Sequence, residues 1–192
     1  GAGRFAGLVG TGEDVAIVAN GPGLTGCGRG AVIDAHRIVI RFNNHAGGRG
    51  LVDQGERTDI WIRPPGVTHV PLGSVRGIRN LVLTGCNARH RFSNAISVLE
   101  PFLEERPPIE FVPFEIYRSL FHRLEASPSS GLIGLAWLAE RAGGLVDEGH
   151  VFGYSPGENS KAISYYYGKS ITGAWPSRHN WPAEETMVRA LV

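Results

Sequence analysis

His179 stands between Trp175-Pro176 and Trp181-Pro182, rigid apolar surroundings that can tune an imidazole. Histidine titrates near pH 6.5 and can accept a hydroxyl proton at physiological pH, the work of a general base. Glu184, in Pro182-Ala183-Glu184-Glu185, reads as part of a helix's first turn, where a carboxylate orients or caps rather than reacts. Asn20-Gly21-Pro22-Gly23 closes the apolar run Val15 to Ala19, a strand followed by a strong turn signal. Such a turn exposes backbone N–H groups at the carboxyl edge of a sheet, where anions bind in open α/β folds. A phosphate or carboxylate is therefore expected near Asn20 and Gly21. Asn43 ends the next strand-like run, and amide side chains there suit the ribose or phosphate of a mononucleotide. Ser129, Ser130 and Gly131 open a helix after Pro128, with hydroxyl caps and free N–H groups that can hold a carboxylate or phosphate. Tyr165, Tyr166 and Tyr167 add phenols, which donate to a phosphate oxygen without carrying charge; one of three in a row packs into the core.

Competing chemistries find less support. Gly21-Pro22-Gly23-Leu24-Thr25-Gly26 matches the dinucleotide fingerprint literally, but Asp34 falls inside the expected helix and not at the end of the second strand, so the ribose lacks its partner. No Asp-x-Asp pair occurs to hold a divalent cation on a diphosphate. The histidines at 36, 45, 69, 90, 122 and 150 show no metal-ligand spacing, and no cysteine pair helps them. No metal and no cofactor is expected in the reaction. The only cysteines, Cys27 and Cys86, read as thiols, which favours a reducing compartment.

These residues need a scaffold, and alternating apolar runs supply one. Strands are predicted at 15–20, 37–42, 58–62, 80–84, 109–113 and 149–154, with helices near 28–36, 93–105, 115–125, 131–143 and 183–191. The βαβ rhythm predicts an α/β fold, a mostly parallel sheet with helices on both faces and ligands over its carboxyl edge. The chain of 192 residues reads as one domain over 13–192, behind a frayed segment 1–12. Glycine, 27 of 192 residues, is about twice its usual share and concentrates in loops. A net charge of +1 argues against nucleic acid as a partner. No apolar run reaches the roughly 18 to 20 residues of a membrane span. The Gly1-Ala2 start, without Met, reads as a processed or engineered terminus.

Four of these stretches, in order, resemble the motifs of the sialyltransferase family. The family's large motif runs from a strand through an Asn-Ser-x-x-Leu turn to a second strand ending Arg-Met-Asn. Asn20-Gly-Pro-Gly-Leu24 stands for the turn, and Ile33-Asp34-Ala35-His36 to Arg41-Phe42-Asn43 for the rest. Pro128-Ser129-Ser130-Gly131 resembles the small motif, and His179 with Glu184 the very small one. The third motif's histidine is missing, and Tyr165-Tyr166-Tyr167 stands in that region. Bacterial sialyltransferases of a second family use tyrosine hydroxyls to hold the leaving phosphate. Animal members join the large and small motifs by a disulfide; position 14 here is Asp and Cys86 lies between the motifs, so that bridge is not expected.

The resemblance implies a Rossmann-like, GT-A variant fold and an inverting, metal-independent transferase that moves sialic acid from a cytidine monophosphate (CMP) donor to the hydroxyl of a glycan or glycolipid acceptor. It implies His179 as base, a tyrosine of 165–167, Tyr166 foremost, on the departing phosphate, and Asn20, Gly21, Asn43, Ser129, Ser130 and Gly131 on the donor. A bacterial-type cytoplasmic enzyme, peripheral to a membrane at most, fits the thiols. A CMP-Kdo transferase and a non-catalytic nucleotide-binding protein on the same fold are the alternatives. Acceptor selectivity is expected in loops 45–57, 63–73 and 155–178, where Arg49, Arg57 and Arg63 read as solvated more readily than as acceptor contacts.

Overall fold

The apolar runs become short, fully buried strands: β1 (Val15–Val18), β2 (Ile38–Phe42), β3 (Ile60–Arg63) and β4 (Asn80–Leu83) are buried at every position. β5 (Ile109–Phe111) and β6 (Val151–Phe152) form the two edges. The computed structural model describes residues 14–43, 51–64, 77–84, 107–143, 148–154, 163–164, 170–171 and 179–192. The six strands run parallel in the order β5-β4-β3-β2-β1-β6, with Ile17 level with Ile40 and Ile40 level with Ile60. Continuous burial is what a parallel sheet covered on both faces requires.

Side chains alternate between two cores, following the period-2 pleat. Val15, Ile17, Ile40, Phe42, Ile60, Ile62 and Val82 face one side, against α3 (Phe114–Leu124), α4 (Ser130–Ala142) and α5 (Trp181–Leu191). Ala16, Val18 and Val39 face the other, with Leu24, Phe152 and Ile33 of α1 (Gly30–Ala35). Trp61, Ile78, Leu81 and Leu83 form a third, smaller cluster. The expected α/β sheet with helices on both faces is present.

The chain steps outward from β1 to β5 and returns across the sheet to place β6 on the far side of β1. In open α/β sheets the usual ligand position lies at such a reversal, beyond the carboxyl ends of the two flanking strands, here β1 and β6.

Two differences from the sequence reading are local. A helical turn, α2 (Leu51–Gln54), occupies a stretch read as loop. Its Asp53 carboxylate accepts the N–H groups of Gly26 (2.8 Å) and Gly28 (2.9 Å), bonds that also hold the acid below its usual pKa. Bonds across 25 or more residues leave no local trace in sequence. A two-stranded antiparallel pair, β7 (Ile163–Ser164) with β8 (Ser170–Ile171), falls in another expected loop. The helix expected near 93–105 and the segment 1–12 lie outside the described residues.

Candidate active site at the carboxyl edge of the sheet

Asn20 follows β1 and its amide nitrogen donates to the Phe42 carbonyl at 2.9 Å, tying the ends of β1 and β2 together. Asn43 follows β2 in the left-handed region, φ 51°, a conformation Asn tolerates better than most residues. Its backbone is fixed from both sides: its N–H donates to Ile62 O (2.9 Å) and its carbonyl accepts from Trp61 Nε1 (2.6 Å). Its Oδ1 is buried without a hydrogen-bond partner. Gly21 donates its N–H to Gly153 O at 2.8 Å, and Pro22 has none to give. The turn after β1 thus offers fewer N–H groups to a ligand than its composition suggests.

The α4 N-terminus joins this edge through Tyr154, two residues beyond the end of β6. Its hydroxyl donates to Gly131 O at 2.9 Å, and its ring meets Phe42 edge-on at 5.9 Å. Burial, and then the Glu184 carboxylate, push the Tyr154 hydroxyl well above its usual pKa, so it stays a neutral donor. Ser129 is the N-cap of α4: its Oγ accepts from Leu132 N at 3.2 Å. Ser130 and Gly131 begin the helix proper, where backbone N–H groups lack intrahelical acceptors.

His179 is held by two acceptors on one ring nitrogen. Nδ1 lies 2.7 Å from Ser127 O and 3.5 Å from Glu184 Oε1. A carbonyl accepts only, so Nδ1 carries a proton, and in the neutral ring Nε2 then presents the lone pair. The same Glu184 oxygen accepts the Ser129 N–H at 2.8 Å. One carboxylate, 3% exposed, therefore ties the histidine to the first residues of α4. α5 is set by Asn180, whose Oδ1 accepts from Ala183 N and whose amide donates to Leu124 O at 3.2 Å. The Trp181 ring packs 4.9 Å from the imidazole.

Chemically, this arrangement supplies a base-ready imidazole, a helix N-terminus for an anion and side-chain amides at neighbouring strand ends. Among the described residues, four buried polar side-chain atoms have no partner: Asn43 Oδ1, Thr84 Oγ1, Trp181 Nε1 and Asn80 Oδ1. Asn43 and Thr84 directly follow β2 and β4, and Trp181 is two residues from His179. Asn80 begins β4 at the amino edge, but buried orphans are uncommon, and a polar ligand at the carboxyl edge would satisfy those of Asn43 and Thr84.

No family model matches the chain. A sialyltransferase-like protein 2 of Oryza sativa subsp. indica is 30% identical over 117 residues, 60% of this chain and 26% of that protein. Two mammalian sialyltransferase crystal structures superpose with a TM-score of 0.63 each. One, in complex with Gal-beta-1-3GalNAc-ortho-nitrophenol, is 16% identical and covers 92% of this chain; the other is 18% identical and covers 91%. The chain shares its fold with these sialyltransferase structures and part of its sequence with the rice protein. It spans about a quarter of the rice protein and 65% and 64% of the two mammalian chains.

The residues from Asn20 to Asn43 divide by task. Asp34 and Arg41 act as braces. Asp34 accepts the N–H groups of Glu56 (2.7 Å) and Arg57 (3.0 Å), which ties α1 to the segment after α2. Arg41, 2% exposed, donates to Gln54 O (2.7 Å) and Arg57 O (2.8 Å). Arg63 is not the solvated residue its Gly-rich surroundings suggested, whereas Arg57 keeps a side chain 39% exposed while fixed by hydrogen bonds. Arg57 donates to the carbonyls of Asp34, His36 and Arg37 and pairs with Asp59 at 2.8 Å. Arg63 is 2% exposed over the Trp61 ring, and burial lowers its pKa to about 10. Tertiary packing captured both.

Tyr165, Tyr166, Tyr167, Cys86 and Arg49 lie outside the described residues. Cys27 is a free thiol, its sulfur 3.2 Å from Asp53 O. Two residues at the candidate site escaped the sequence reading. Tyr154 had only its position after a strand and Gly153 to mark it, and Thr84 only its place at the end of Leu81-Val82-Leu83.

Proposed function

We propose that this protein is a metal-independent, inverting glycosyltransferase that moves sialic acid from a CMP donor to an acceptor hydroxyl, with 13–192 as its catalytic domain. The observation that carries the reading is the Glu184 oxygen shared by His179 and the start of α4, which puts a base and an anion-binding helix end into one unit.

His179 Nε2 takes the acceptor proton as the hydroxyl attacks the anomeric carbon, while Nδ1–H stays on Ser127 O. Glu184 stabilises the imidazolium that forms. Attack opposite the leaving nucleotide inverts the anomeric carbon. Asn20, Gly21 and Asn43 hold the nucleotide, and the first N–H groups of α4, at Ser130 and Gly131 beyond the capping Ser129, take part of the phosphate charge. A tyrosine of 165–167, Tyr166 foremost, donates to the departing phosphate. A monophosphate leaving group on a tertiary anomeric carbon that ionises readily leaves positioning and proton transfer as the main tasks, so no cation is required. The acceptor is a glycan or glycolipid. A reducing, cytoplasmic setting is supported by the Cys27 thiol, and among the described residues no helix is long and apolar enough to cross a membrane.

Calorimetry with CMP, followed by a CMP-sialic acid hydrolysis and transfer assay, tests the reading. Binding with turnover is expected. Binding without turnover would leave a nucleotide-binding protein on this fold, and turnover of CMP-Kdo alone would change the sugar.

A further inference from the structure

At the opposite edge of the sheet, far along the strands from His179, the fold gathers three residues that sequence spacing keeps apart. Asp14 precedes β1, His36 lies between α1 and β2, and His150 precedes β6. One ligand atom from each lies within 4.8 Å of the others. We propose that Asp14, His36 and His150 form a binding site for a zinc-class divalent cation that clamps the amino ends of β1, β2 and β6.

The geometry of the imidazoles supports this. His36 Nδ1 lies 2.8 Å from Val32 O, so Nδ1 carries the proton and Nε2 is left as the ligand atom, 3.7 Å from Asp14 Oδ1. A backbone carbonyl on the second nitrogen is how metal-binding histidines are oriented. The rings of His36 and His150 stand at 87° with centroids 5.4 Å apart. Two imidazoles sharing one tetrahedral ion at metal–nitrogen distances of about 2.0 Å would hold their centroids about 5 Å apart. The carboxylate is aimed as well: Asp14 Oδ2 accepts the Arg37 N–H at 3.1 Å, which turns Oδ1 toward His36. Ligand atoms on a tetrahedral ion lie about 3.4 Å apart, and the Asp14 side chain, 57% exposed, has room to close the remaining gap.

Two imidazoles and one carboxylate select zinc, cobalt or nickel over magnesium or calcium. A water fills the fourth position. An open depression of about 430 Å³, lined by Asp14, Ala31, Val32, Ala35 and His36, gives the ion its access. The three ligands come from three segments of one sheet edge, so the ion cross-links structure and takes no part at the carboxyl edge. The proposal does not depend on the transferase reading.

The test uses the whole chain, stripped with chelator and titrated with zinc chloride, with bound zinc counted after gel filtration and cobalt absorption reporting tetrahedral coordination. One zinc per chain is expected, with a melting temperature that rises and saturates as zinc is added. Affinity should fall at least 10-fold in each of His36→Asn, His150→Asn and Asp14→Asn. His122→Asn, on the exposed face of α3, should keep the full stoichiometry. Should the histidine variants fail to fold, the exposed Asp14→Asn decides alone. No zinc retained by the native chain, or zinc affinity unchanged in Asp14→Asn, overturns the site.

Discussion

His179 and Asn43 are placed by different means, and their variants should fail differently. His179→Ala removes the base but leaves the strand ends that hold the nucleotide. Turnover should drop roughly 100-fold or more with nucleotide affinity little changed, since general-base assistance is worth about 10²–10⁴. Steady-state kinetics beside CMP calorimetry checks both, and near-native turnover in the variant would reduce His179 to a loop residue. Asn43 has φ 51°, so alanine there would add backbone strain to any lost contact. Asn43→Gly avoids that. It should weaken CMP binding by about 0.5–1.5 kcal/mol, more if the lost partner is a phosphate, and unchanged affinity would remove Asn43 from the site.

α4 carries the site's helix N-terminus, and its position depends on a residue without a side chain. A Cβ at Gly134 would collide with the Phe42 ring and come within 3.3 Å of Ile62 Cγ2, so the helix lies directly on β2 and β3. Gly134→Val should destabilise by about 1–3 kcal/mol through overpacking, well beyond the few tenths that valine gains over glycine in helix propensity. A lower urea midpoint with unchanged slope is the expected result. The other end of this support is Tyr154. Its folded pKa lies well above that of the unfolded chain, so the folded state holds the proton more tightly. The stability this contributes is complete below about pH 10, the ordinary tyrosine value, and is lost as pH rises past it. Tyr154→Phe should flatten the alkaline fall of the melting temperature, and a fall as steep as in the native chain would assign it to other groups.

Across the whole molecule, the two edges of the sheet are proposed to separate two tasks. The carboxyl edge holds the candidate active site, and the amino edge brings together Asp14, His36 and His150. EDTA should therefore leave transferase turnover intact. A rate abolished by EDTA and restored by manganese would reject the CMP-donor reading, because a cation would then be doing work assigned here to His179 and to neutral donors.

The alternation of apolar runs with turn signals determined the strand order along the chain and the parallel sheet, because hydrophobic periodicity and glycine-rich turns are local properties. The motif order also singled out Asn20, Asn43, Ser129 and His179 before any coordinates. Pairing across long separations was decided only by the fold. Glu184 reaches Ser129 across 55 residues, Arg57 is drawn inward by carbonyls 20 or more residues away, and Tyr154 meets Gly131 because β6 crosses to the far side of β1. The gathering of His36, His150 and Asp14 is of the same kind, since ligand spacing in sequence measures distance along the chain and a parallel sheet sets its strand starts side by side whatever lies between them.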